Sequence, residues 1–205
     1  VLRNVYSLSN TAAPTLAPAE TEYTMQTNSG YASASFDFYK IFYLDGTYRI
    51  DQSSTLPDGE NVYKYGSVTG ALILSELIKP SFLKFWKVRA NYAEVGGTAD
   101  PYQLDYYYNA AGFFGNVGLS SSQTRQPNQN LLPQQAKEFE IGTEGSLFNN
   151  RVTFDFAYYK TKTTNQLLTL PISSGSGLTS ASVNAGRIDN WGYEAQLGLV
   201  PIKNQ

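Results

Sequence analysis

Between Leu132 and Tyr159 apolar and polar residues alternate with a period of two. Phe139, Ile141, Gly145 and Leu147 interleave with Glu138, Glu140, Glu144 and Ser146; after Asn149-Asn150-Arg151, Val152, Phe154, Phe156 and Tyr158 interleave with Thr153, Asp155 and Tyr159. Successive side chains on an extended chain point to opposite faces, so the stretch predicts two strands joined by a tight turn. One face is aromatic and aliphatic, the other carries carboxylates. Each run is about 8 to 10 residues, longer than the ~5–6 of an ordinary strand and close to the length that crosses a bilayer.

The same alternation recurs along the chain. Over 31–38, Ala32, Ala34, Phe36 and Phe38 oppose Ser33, Ser35 and Asp37; over 41–50, Leu44, Tyr48 and Ile50 oppose Asp45, Thr47 and Arg49. Over 65–74, Val68, Gly70, Leu72 and Leu74 oppose Ser67, Thr69, Ala71 and Ile73; over 85–95, Trp86, Val88, Ala90 and Tyr92 oppose Lys87, Arg89, Asn91 and Ala93. A last strand is predicted over 183–200, where Tyr193, Ala195, Leu197 and Leu199 oppose Glu194, Gln196 and Gly198. Residues 1–30, rich in Ala, Thr, Pro and Ser, predict an exposed extracellular loop.

Seven strands result, and their links alternate in length. Short links fall at 39–40, 76–81 and 149–151, long ones at 51–63, 96–133 and 165–182. Short turns on one side and long loops on the other are the habit of up-and-down barrels in a membrane. A Greek-key sandwich has no reason to sort its loops this way. The expected fold class is therefore all-β: an antiparallel up-and-down transmembrane β-barrel segment, about seven strands of a larger barrel. Seven strands with two open edges would not close in lipid, and the chain stops at Lys203-Asn204-Gln205, where another strand is due. The rival architecture is a soluble or surface-anchored β-sandwich that binds glycans through a tyrosine-rich loop, with Phe154, Phe156, Leu197 and Leu199 sealed between two sheets.

Composition narrows the function classes. Fifteen Lys and Arg against seventeen Asp and Glu leave a net charge of −2, which argues against nucleic acid as a partner. The chain has no Cys and no His, so it lacks thiol chemistry, the commonest metal ligand and the commonest general base. No apolar run reaches the length of a transmembrane helix, and the first ten residues do not read as a signal peptide.

Several stretches resemble the SusC/RagA-type TonB-dependent outer-membrane transporters of Bacteroidetes. They are RIDQSSTLPDGENVYKYGSVTGALILSEL at 49–77 and KVRANYAEVGGTADPYQL at 87–104, with LLPQQAKEFEIGTEGSLFNNRVTFDFAYY and VNAGRIDNWGYEAQL resembling TonB-dependent receptors more broadly. The resemblance runs over about 31–200 in the family's order. It implies a large plugged barrel whose plug domain, TonB-contacting N-terminal part and closing strands belong to a longer protein. It further implies a SusD-like surface lipoprotein as lid, TonB and outer-membrane lipid as partners, and import of oligosaccharides or peptides. It implies no cofactor and no enzymatic activity.

Two sets of residues are candidates for function. On the polar strand faces Arg49, Arg89, Glu138, Glu140, Glu144, Asp155 and Glu194 are expected to face the lumen. Glu138 and Glu140 are spaced like the acid pair of an inverting glycosidase, but any two acids on one strand face meet that spacing, and a lumen wall is the better account. In the longest link, Asp100, Tyr102, Tyr106, Tyr107, Tyr108, Phe113 and Phe114 are expected to contact substrate or lid, as exposed aromatics stack on sugars or anchor proteins; an outer-leaflet girdle or self-packing of the loop stands beside that reading. Asp51, Asp58, Glu60 and Asn61 carry oxygen ligands, but their setting reads as turn chemistry rather than a calcium loop, and no metal site is expected.

Overall fold

The computed structural model describes residues 22–201, and its regular structure is almost wholly strand. Strands β1 (Thr27–Phe38), β2 (Phe42–Ser53) and β3 (Val62–Ile73) are followed by a single helical turn, α1 (Leu74–Leu77), and by β4 (Leu83–Gly97). Three short strands come next, β5 (Tyr108–Phe114), β6 (Val117–Ser122) and β7 (Arg125–Gln126). The long hairpin β8 (Gln134–Leu147) and β9 (Val152–Thr164) follows, then β10 (Leu167–Pro171), β11 (Ser180–Asn184) and β12 (Arg187–Leu199).

The seven long strands make one sheet in the order β1-β2-β3-β4-β8-β9-β12, antiparallel at every step. Its short turns lie on one side. Tyr39 and Lys40 take left-handed backbone at φ 55 and 59, and the Lys40 N–H donates to Asp37 Oδ1 at 2.7 Å. Phe148, Asn149 and Asn150 do the same between β8 and β9, at φ 53, 56 and 65. Links at the other end are long and build structure of their own: β5 pairs with β6, and β10, β11 and β7 form a small sheet.

Residues directly opposite in an antiparallel pair share a face, so the register defines rows across the sheet. Phe36, Leu44, Gly70, Ala90, Ile141, Tyr158 and Tyr193 form one such row through all seven strands. Toward the long-link end the first polar residue on this face is Gln52 in β2, eight residues past Leu44. It is Lys64 in β3, Glu94 in β4, Lys137 in β8 and Lys160 in β9, the last only two residues past Tyr158. The border of the apolar band thus descends by six residues from β2 to β9. At ~3.4 Å per residue and ~4.8 Å per strand step, that is roughly 20 Å of descent over roughly 19 Å of sheet. Strands tilted about 45° against a flat apolar slab give this slope, close to the 35–45° of membrane barrels.

No second sheet covers either face among the described residues. Phe156, Leu197 and Leu199 are 44%, 66% and 64% exposed, which overturns the sandwich, since a sandwich would seal them. Apart from Ala157, the buried apolar side chains gather instead at the long-link end, where Leu56, Tyr63, Ala99 and Leu131 pack with Tyr65, Leu104 and Leu167.

Several boundaries differ from the alternation reading. The first strand starts at Thr27, inside the expected 1–30 loop, whose residues 1–21 lie outside the described part; so do 202–205. Leu74 turns into α1 instead of ending β3. The expected strand over 183–200 divides at Gly186, whose φ is 88, into β11 and β12. The 96–133 and 165–182 links hold strands that carry no clear alternation, because their partners are other loops rather than a two-faced sheet.

Candidate functional site

The polar face of the sheet carries a charged cluster centred on Arg89. Arg89 stands opposite Gly142 across the β4–β8 ladder, and Gly142 stands opposite Ala157. Small residues leave the guanidinium room to lie flat: a Cβ at Gly142 would come within 2.8 Å of Arg89 Cζ. From there Arg89 Nε donates to Glu140 Oε1 at 3.2 Å, Nη1 to Glu144 Oε2 at 3.4 Å, and Nη1 and Nη2 both to Asp155 Oδ1 at 3.2 Å. Lys87 Nζ holds the other oxygen of Glu144 at 2.6 Å. Glu144 and Asp155 are direct cross-strand neighbours, a repulsive pair on its own, and the two cations are what allow it. Glu194 borders a concavity with Arg89 and Asp155, while Glu138 accepts from Thr161 Oγ1 at 3.2 Å.

Arg49 belongs to a second, separate cluster. Its Nε donates to Asp51 Oδ1 at 2.8 Å, its Nη2 to Ser29 Oγ at 3.1 Å, and Tyr65 Oη donates to Asp51 Oδ2 at 2.6 Å. Asp51 is therefore a buried strand residue rather than the turn residue expected, because β2 runs on to Ser53. Asp58 and Asn61 do lie in the following turn, where Asn61 Nδ2 reaches Asp58 Oδ1 at 3.4 Å. Behind this cluster the SSTLP stretch is packed, with Ser53, Thr55 and Leu56 buried. Ser53 Oγ and Thr55 Oγ1 are 2.9 Å apart, and Thr98 Oγ1 donates to Ser53 Oγ at 2.9 Å and also contacts Thr55 Oγ1.

At the long-link end the loops enclose an open groove of about 710 Å³ lined by Glu22, Tyr23, Asp100, Pro101, Tyr102, Tyr107, Asn109 and Arg125. Tyr102 is held with a left-handed backbone, φ 60, and its Oη accepts the Thr24 N–H at 3.2 Å. Asp100 Oδ2 accepts from Gln103 Nε2 at 3.4 Å. A tyrosine-lined wall with one Arg and two carboxylates can stack on flat or ring-shaped groups and bind polar ones.

Of the sequence candidates, Asp100, Tyr102 and Tyr107 meet in this groove. Tyr106 lines a neighbouring groove of about 610 Å³ with Asp105, Asn128 and Gln129. Tyr108 and Phe114 project from the β5–β6 hairpin, 74% and 79% exposed, and the side chain of Phe113 lies outside the described residues. Arg49, Arg89, Glu138, Glu140, Glu144, Asp155 and Glu194 all share the polar sheet face. Sequence reasoning missed Tyr23, Asn109 and Arg125, which reach the groove only through loop packing, and no local pattern marks them.

Known proteins resemble the chain over nearly its whole length. The family described as TonB dependent receptor-like, beta-barrel, matches residues 2–200. TonB-dependent receptor P3 of Formosa agariphila is 28% identical across 94% of this chain and 20% of its own length. TonB-dependent receptor P26 of the same organism is 30% identical across 85% of this chain and 19% of its own. The chain thus spans about a fifth of the length of these curated relatives. Among solved structures, the RagAB peptide importer in its closed-closed state superposes with a TM-score of 0.79 at 22% identity, over 87% of this chain and 20% of that one. The siderophore receptor PirA of Pseudomonas aeruginosa superposes at 0.59 and 15% identity, over 83% and 30%. At such identities these two speak for the fold alone.

Proposed function

The chain belongs to the TonB-dependent receptor-like β-barrel family of the outer membrane, and on that premise we propose that it forms part of the wall and outer loops of a TonB-dependent nutrient importer. The oblique apolar band on one face of the seven-stranded sheet, set against the Arg89 charge cluster on the other, is the observation that carries this reading. Lipid covers the first face, and Arg49, Arg89, Glu138, Glu140, Glu144, Asp155 and Glu194 look into the lumen. The cargo is an oligosaccharide or a peptide, a SusD-like lipoprotein caps the barrel over the tyrosine-lined groove, and TonB acts through an N-terminal part of the whole protein. The role is passage rather than catalysis: Glu140 and Glu144 are engaged by cations, which suits a solvated wall better than a general acid.

The test is uptake in the producing cell. A strain lacking the full-length protein should lose energised uptake of labelled oligosaccharides or of labelled peptides, and dissipating the proton-motive force should reproduce that loss in the parent. The native barrel should bring a lipoprotein with it from detergent-extracted outer membranes. Unchanged uptake of both cargo classes in the deletion strain would refute the importer.

A further inference from the structure

Just beyond the apolar band, on the outward face of β8, β9 and β12, cations gather. Lys137 stands opposite Lys162, and Lys162 stands opposite Asp189. Lys160 precedes Lys162 on the same face, roughly 7 Å away along the strand, and Arg187 follows one step out on β12. Like charges directly opposite in a ladder repel, so the Lys137–Lys162 pair needs an anion. The two nearby carboxylates are already engaged: Glu94 Oε1 holds Lys137 Nζ at 2.8 Å and also accepts from Tyr92 Oη at 2.6 Å, and Asp189 Oδ2 holds Arg187 Nε at 2.6 Å. Among the described residues neither Lys160 nor Lys162 has an ion-pair partner.

Their position says which anion is at hand. Lys160 is flanked in its row by Phe139 on β8 and Trp191 on β12, and Trp191 meets Tyr193 edge-on at 6.2 Å between ring centroids. Aromatic rings bordering an apolar band mark the level of lipid headgroups. The long links lie at this end of the strands, which in such barrels is the outer side. Four cations against the two carboxylates Glu94 and Asp189 thus leave an excess of positive charge at headgroup depth in the outer leaflet.

We propose that Lys160 and Lys162, with Lys137 and Arg187 behind them, form a docking site for the phosphate groups of an outer-leaflet phosphoglycolipid of the lipid A type. Basic side chains at a lipid surface each strengthen binding to anionic headgroups severalfold. The site rests on the outer-membrane barrel reading and extends it from generic lipid contact to one headgroup chemistry at one place on the wall.

The experiment uses the delipidated full-length protein in detergent, titrated with mixed micelles of bisphosphorylated lipid A or of its dephosphorylated form. Wild type should prefer the phosphorylated lipid, and K160Q/K162Q should weaken that binding roughly thirtyfold while leaving the dephosphorylated lipid unaffected. K40Q, in the short turn at the opposite end, should change neither. Retained heat-modifiable migration checks that each variant is still a barrel. A wild type without preference, or a double variant that keeps it, overturns the site. Fractionation of the native protein away from the outer membrane would instead sink the barrel reading on which the site rests.

Discussion

Replacing Arg89 by Met removes the charge that organises the polar face but keeps most of the aliphatic stem over Gly142. Arg89 makes charge-assisted hydrogen bonds to Glu140, Glu144 and Asp155 at 3.2–3.4 Å, and its side chain is 25% exposed against 30–40% for its partners. Exposed pairs contribute about 0.2–1 kcal/mol each, while stripping one partner from a buried pair costs about 3–5 kcal/mol. For three contacts at this intermediate exposure the expected loss is about 2 kcal/mol. Lys87 still holds Glu144, so the residual strain falls on Glu144 and Asp155, which stand opposite one another. Asp155→Asn in the Arg89→Met background should therefore recover about 0.5–1 kcal/mol, although the same change in wild type destabilises. Arg89→Lys should cost about 1 kcal/mol, because one ammonium lacks the fork that serves three carboxylates. Equilibrium unfolding of the full-length barrel in detergent by urea would measure each variant and the cycle. An Arg89→Met variant within 0.3 kcal/mol of wild type, or Asp155→Asn equally damaging in both backgrounds, would refute the cluster as an energetic unit.

Phe154→Cys carrying a fluorophore should be quenched by a lipid-soluble quencher in reconstituted bilayers, while the same label at Asp155→Cys should not; equal quenching would contradict the two-faced wall. Gly145→Ala should destabilise the barrel by about 2 kcal/mol in the same urea assay, because its Cβ would lie 2.6 Å from Phe154 Cζ and 2.9 Å from the Phe85 carbonyl oxygen. Thr98→Val removes a hydroxyl that contacts both Ser53 Oγ and Thr55 Oγ1, leaving those two buried groups only each other's hydroxyl, at about 1–3 kcal/mol. Limited proteolysis should then cut the 99–107 link sooner than in wild type, and an unchanged rate would show that this polar knot does not hold the loop. Tyr102→Ala and Arg125→Ala, both on the groove rim, should weaken binding of cargo or lid by about tenfold each without shifting the unfolding midpoint.

The face assignment of the long strands was legible from alternation because pleating is local: the residue at i+2 returns to the same side whatever lies next door. Phe36 with Phe38, Val88 with Ala90, and Leu197 with Leu199 all sit where their spacing puts them, as do the polar-face charges. Strand ends were less legible. Each of the seven strands runs 12 to 15 residues, longer than the alternating core, because the ladders continue past the apolar band into polar sequence such as Asp51-Gln52-Ser53. Loop strands such as β7 and β10 pair only with another loop strand, β11, and left no trace in the pattern.

Sequence alone determined that this is a chain of two-faced strands with short turns at one end and long links at the other, since alternation and turn residues are written within a few positions. Register came from long-range strand pairing instead. It is register that sets Arg89 over Gly142 among Glu140, Glu144 and Asp155, slopes the apolar border by six residues from β2 to β9, and stacks Lys137 against Lys162. It likewise took the packing of the segment before β1 against the long 96–133 link to bring Tyr23, Tyr102, Tyr107 and Arg125 around one groove. Pairing between strands far apart in the chain depends on every ladder between them, and no stretch of residues encodes it by itself.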